Sequence, residues 1–102
     1  MGFFTNFFRK EPSELERYLQ NGAVILDVRS PQEFSTGHIA GSRNIPLHQL
    51  REHLAEIRQF QKPIVTVCQS GMRSSAAKSL LVTEGIKAIN GGSWLSLQKR
   101  VS

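Results

Sequence analysis

A single cysteine, Cys68, stands in a chain of 102 residues. One thiol excludes an internal disulfide framework, a CxxC redox pair and any multi-cysteine metal site. The three histidines add no metal-ligand spacing to it. Long apolar runs are missing too: nothing approaches the ~18 residues that cross a bilayer, so stable membrane insertion is not expected. The 13 lysines and arginines outnumber the 8 acids but never run longer than two. Such scattered charge fits a solvated basic surface rather than a nucleic-acid interface, although small anionic ligands gain from the field. There is no internal repeat, low-complexity tract or linker. The opening MGFFTNFFRK has no basic leader before its apolar residues, so it does not read as a signal peptide, and a cytoplasmic location is expected.

What is present is an alternation of short elements. Ser13-Glu14-Leu15-Glu16 has the form of a capping box, opening a helix that turns Leu15 and Leu19 inward and stops at Asn21-Gly22. AVILDV, residues 23–28, is apolar without alternation, as in a strand covered on both faces. A short helix starts at Pro31, and Arg43-Asn44-Ile45 forms a short strand. Leu47, Leu50, Leu54 and Ile57 predict one amphipathic helix over residues 47–58. PIVTV, residues 63–67, is a second buried strand. Ala76, Ala77, Leu80 and Leu81 line a helix ending near Gly85. Residues 86–89 predict a strand, and Trp94, Leu97 and Val101 a last helix. The pattern is that of a single α/β domain with a small, mostly parallel sheet and helices on both faces.

Cys68 ends the PIVTV strand and opens the loop Gln69-Ser70-Gly71-Met72 before Arg73-Ser74. Ligands of open α/β sheets sit beyond the carboxyl ends of the strands. The helix that starts near Arg73 offers unpaired N–H groups, and Gly71 can curl the loop into an anion nest. A thiol over such a cradle ionises more readily, and the thiolate is the nucleophile. Asp27 is expected to anchor loops. Arg29 either faces the pocket or pairs with Glu33, and Arg73 either touches substrate or turns to a carboxylate. His38, between glycines, is expected to be structural.

Four stretches then carry a resemblance. Leu26-Asp27-Val28-Arg29, Gly37-His38-Ile39-Ala40-Gly41-Ser42-Arg43-Asn44-Ile45-Pro46, Cys68 to Arg73 with Ser74, and Gly91-Gly92 with Trp94 resemble, in order, the motifs of single-domain rhodaneses. Trp94 follows the glycines more closely than is usual. The resemblance implies a rhodanese-like fold and a thiosulfate-type sulfurtransferase without cofactor or metal. In it Cys68 takes the sulfane sulfur of a small anionic donor as a persulfide and passes it to a thiol, cyanide or protein acceptor. Gln69, Ser70, Gly71, Met72, Arg73, Ser74 and Arg29 are the expected substrate-binding residues. Protein tyrosine phosphatases place one more residue between cysteine and arginine than the four found here, which argues against phosphoryl chemistry. The alternatives are a protein-to-protein sulfur carrier and a non-enzymatic binding or regulatory module, although such modules commonly lose the cysteine.

The resemblance leaves out an N-terminal apolar arm, residues 1–11, ahead of a domain over 12–102. Phe3, Phe4, Phe7 and Phe8 share one face of a helical arrangement. That face is expected to complete the core, with association or shallow membrane contact as the alternatives.

Overall fold

The computed structural model describes residues 11–101, so the phenylalanine-rich arm lies outside the described residues. Four parallel strands form one sheet: β1 (Val24–Asp27), β2 (Arg43–Asn44), β3 (Ile64–Cys68) and β4 (Ala88–Ser93), in the order β2-β1-β3-β4. The helices are α1 (Glu14–Gln20), α2 (Pro31–Thr36), α3 (Leu54–Gln59), α4 (Met72–Thr83) and α5 (Trp94–Val101), with a 3₁₀ helix at Leu47–His53.

The central strand shows why both faces must be covered. All five residues of β3 are buried. Ile64 and Cys68 join a core with Leu50, Ile57, Ala77 and Leu81, under the 3₁₀ helix, α3 and α4. Val65 and Val67 point the other way, into a core with Tyr18, Ile39, Ile89 and Leu97 under α1 and α5. A strand buried on both sides has no polar face to alternate, and its sequence accordingly reads as an unbroken apolar run.

Local chemistry sets the helix starts. The Ser13 capping box forms, with Ser13 N–H donating to Glu16 Oε1 at 2.9 Å and Glu16 N–H to Ser13 Oγ at 3.1 Å. A second box at Ser30 and Glu33 opens α2 with Pro31 in its first turn.

Two boundaries differ from the sequence expectation. Residues 47–58 split into a 3₁₀ helix and α3, because apolar residues spaced by three and four fit either geometry over so few turns. Ile86, expected in a strand, instead closes α4: its N–H donates to Leu81 O at 2.9 Å while Gly85 N–H donates to Val82 O at 3.0 Å. That is a Schellman cap whose apolar residue packs back on the helix. The strand starts at Ala88 and continues through Gly91-Gly92 to Ser93.

The glycine pair makes β4 irregular in a useful way. Thr66 pairs with Asn90, whereas Val67 pairs with Gly92, leaving Gly91 as the extra residue of a bulge. A Cβ at Gly91 would stand 2.6 Å from Val65 Cγ1 and 3.0 Å from Thr66 O. Gly91→Ala therefore overpacks the sheet at a cost of about 1–3 kcal/mol. Thermal unfolding should show a melting temperature lower by roughly 4–8 °C per kcal/mol. An unchanged value would mean that β4 does not lie this close to β3.

Candidate active site

Strand β3 delivers Cys68 to the carboxyl edge of the sheet, and the chain turns over it at once. Gly71 takes φ +102°, a left-handed conformation that a side chain would strain, and it caps the start of α4. The turn aims backbone donors at the sulfur: Gly71 N–H reaches Cys68 Sγ at 3.0 Å and Ser74 N–H at 3.3 Å. The thiol donates to Ser74 Oγ at 3.4 Å. Below it, Thr66 Oγ1 donates to Ser74 O at 2.8 Å, pinning the first turn of α4 to the strand. Cys68 is fully buried. Burial works against the thiolate, but the Ser74 hydroxyl and the N–H groups of Ser74, Gly71 and Ser70 outweigh it, and the thiol pKa falls below its ordinary value.

The arginines of the site are already partnered. Arg73 makes a two-pronged bond with Glu33, Nη1 to Oε1 at 2.8 Å and Nη2 to Oε2 at 2.9 Å, so of its two expected orientations it takes the one toward a carboxylate. These bonds, with the Ser30 N–H, hold Glu33 down at a pKa of about 2. Arg29, expected among the substrate-binding residues, is committed elsewhere. It is 2 % exposed and its Nη2 lies 2.7 Å from Oδ2 of the fully buried Asp27. Its remaining donors reach Gly37 O at 2.8 Å and Glu33 O at 3.3 Å. The guanidinium also stacks 4.5 Å from the Trp94 ring centroid, and a Cβ on Gly37 would stand 3.1 Å from that ring. Asp27 thus anchors the loops as expected, with Arg29 as its partner. His38 is structural: its Nδ1–H donates to Phe34 O at 2.7 Å and the two rings stack.

The family model described as the rhodanese-like domain matches residues 11–94. The chain belongs to the rhodanese-like domain family. It is 34% identical over 89 residues to a protein of Pseudomonas aeruginosa named thiosulfate sulfurtransferase GlpE, covering 84% of this chain and 80% of that one. The structure of the human single-domain sulfurtransferase TSTD1 superposes with a TM-score of 0.68 at 30% identity, covering 91% of this chain and all of that one. Reduced CoADR-RHD of Bacillus anthracis superposes with a TM-score of 0.71 at 40% identity over 86% of this chain, which spans 16% of that protein.

Within this rhodanese-like domain the motifs meet in space. The first-strand motif supplies Asp27 and Arg29, the glycine-histidine motif supplies Gly37, and Trp94 closes over both. Two asparagines with positioning roles escaped the sequence reading. Asn44 Nδ2 donates to Asp27 O at 2.9 Å and Arg29 O at 3.0 Å, tying β2 to the exit of β1. Asn90 accepts from Ser74 Oγ–H at 2.7 Å, one bond from the sulfur. Its signal was the Asn-Gly dipeptide, which marks a side chain bonded to its own turn. A cleft of about 320 Å³ beside the loop is lined by Val28, Ser30, Pro46, Leu47, His48 and Arg73. A larger one of about 510 Å³, between α1 and α5, holds none of the loop residues. No metal-binding cluster occurs among the described residues, and none of their helices is long and apolar enough to cross a membrane.

Two outcomes follow from these pairings. The alkylation rate of Cys68 against pH should inflect below the ordinary thiol value of about 8.5, and an inflection at or above it would mean the cradle does not favour the anion. Glu33 ionises more easily folded than unfolded, so its contribution to stability is complete above its ordinary pKa of 4.5 and vanishes as pH falls through about 2. Glu33→Gln should therefore melt below the parent at pH 6, with the gap closing toward pH 3. A gap independent of pH would show that Arg73 gains nothing from the charge.

Proposed function

We propose that this rhodanese-like domain is a thiosulfate sulfurtransferase-like enzyme acting in the cytoplasm, with Cys68 as the group that carries the sulfur. The observation that bears most weight is a single free cysteine whose sulfur receives two backbone N–H groups. Relatives named for thiosulfate sulfurtransfer add support.

In this reading the Cys68 thiolate attacks the outer sulfur of thiosulfate. The S–S bond of the donor breaks, its electron pair leaves with sulfite, and Cys68 holds a persulfide anion. An acceptor, such as cyanide or a thiolate, then attacks the outer sulfur and restores the Cys68 thiolate. Negative charge gathers beside the sulfur in both steps, and preorganised donors lower its cost without reorganising. The N–H groups from Gln69 to Ser74 supply them. A dianionic donor competes with Glu33 for Arg73, whose five donors are not all used by the carboxylate. Arg29 supports the site from below and does not touch the donor. Because the sulfur is fully buried in the closed loop, the exposed turn at Gln69 and Ser70 has to part before the donor arrives.

Displacement at sulfur needs no cofactor. With no second cysteine the persulfide cannot collapse to an internal disulfide, so an external acceptor discharges it. A protein acceptor is favoured by Met72, an apolar side chain that stands 80% exposed at the end of the loop that Cys68 opens.

Intact mass spectrometry tests this reading. The chain incubated with thiosulfate should gain one sulfur atom, keep it after the donor is removed, and lose it on adding cyanide. Cys68→Ser should reduce transfer to the uncatalysed background. A serine variant with full transfer activity would refute the assignment.

A further inference from the structure

Between the sulfur and strand β4 runs a short chain of polar groups. Cys68 S–H donates to Ser74 Oγ at 3.4 Å, and Ser74 Oγ–H donates to Asn90 Oδ1 at 2.7 Å. The amide is held at both ends: Gly92 N–H donates to Oδ1 at 2.9 Å, and Nδ2 donates to Gly71 O at 3.2 Å. The donor and the acceptor are both backbone groups, so only one orientation of the amide satisfies them, and Oδ1 must face Ser74. The bulge at Gly91 creates this arrangement, because Asn90 lies in register with Thr66 while the next paired residue is Gly92.

Ser74 Oγ carries one proton and has two acceptors in reach, Asn90 Oδ1 and Cys68 Sγ. While the thiol keeps its own proton there is no conflict. Once that proton has left to water, the thiolate attracts the Ser74 hydroxyl, which must leave Asn90 to answer. Asn90 Oδ1 remains partly satisfied through Gly92 N–H. We propose that Asn90 is a positioning residue that holds the Ser74 hydroxyl away from the Cys68 sulfur in the resting thiol and releases it to the anion. The inference rests on Cys68 being the sulfur-carrying nucleophile.

The charged groups at this end of the sheet are paired with one another, and Arg73 in addition interacts electrostatically with Cys68. Arg73 on α4 is paired with Glu33 on α2, and Asp27 at the end of β1 is paired with Arg29. His48 lines the cleft beside Arg73, and β4 holds no titratable residue. Asn90→Ala therefore changes no charge.

The experiment is the alkylation rate of Cys68 against pH in the parent, Asn90→Ala, Ser74→Ala and the double variant. Losing one neutral hydrogen bond that opposes the anion should raise the ionisation constant of Cys68 about fivefold in Asn90→Ala. With Ser74→Ala already present, the same substitution should change it less than about twofold, since nothing is left to release. A purely structural role, through Gly71 O, would act equally in both backgrounds. Equal effects, or a decrease in Asn90→Ala, overturn the proposal. Should Asn90→Ala fail to fold, Asn90→Asp replaces it: a stronger acceptor should lower the ionisation constant, and more with Ser74 than without. Equal lowering overturns the proposal in that form. Sulfur uptake by the parent separates this result from the functional reading. Uptake without coupling refutes the Asn90 role alone. Coupling without uptake supports that role and refutes sulfur transfer.

Discussion

The buried ion pair of Asp27 and Arg29 is the constraint on which the site is assembled. Two charges this deep are tolerable only if nearly every donor and acceptor is used, because desolvation otherwise exceeds their attraction. Arg29 meets that demand by reaching three stretches of chain: the carboxylate at the end of β1, the Glu33 carbonyl in α2 and the Gly37 carbonyl after it. Trp94, at the start of α5, covers the guanidinium face. One satisfied charge thus fixes where α2 ends and where the chain leaves β4. It also orients α2 so that Glu33 presents its carboxylate outward to Arg73. Arg29, read from the sequence as a substrate contact, is instead the support under the Arg73–Glu33 pair.

The cradle over Cys68 is built mainly from backbone, and this decides which side chains are free. Its N–H groups depend on the φ of Gly71 and on the first turn of α4, not on the identities of Gln69, Ser70 or Met72. Those three accordingly face solvent. Ser74 is the exception. It supplies its N–H and its hydroxyl to the sulfur environment, is fully buried, and is held from both sides by Thr66 and Asn90. The exposed turn is thus free of packing constraints, while the buried half sets the environment of the sulfur.

Much of this is legible in the residues alone. The apolar runs at residues 23–28 and 63–67 became β1 and β3, the capping box at Ser13 formed as written, and the helix stop near Gly85 held. These are local signals, set by a few neighbouring residues. What the residues did not reveal depends on distant ones. Ile86 reads as strand by composition and becomes a helix cap because Leu81 is there to receive it. Whether Arg29 or Arg73 would take Glu33 turned on Asp27, which binds the first and leaves the carboxylate to the second. The Asn90-Gly91 dipeptide signals a turn, but only the bulge at Gly91 brings the Asn90 side chain to Ser74.

Arg73 shows that side-chain charge is not the main support for an anion at the Cys68 sulfur. In the resting domain its guanidinium is neutralised by Glu33, so the loop presents no net cation to an approaching donor. The attraction that remains comes from N–H groups directed at one point, which cannot be withdrawn by a carboxylate. Such donors favour negative charge that is close and localised, as on a thiolate or a transferring sulfur. They contribute little at a distance, where partial charges on opposed peptide atoms cancel. Long-range attraction for an anion then falls to the net charge of +5 spread along the chain. A long-range field of this kind does not discriminate among anions, whereas the backbone cradle favours charge placed at the Cys68 sulfur.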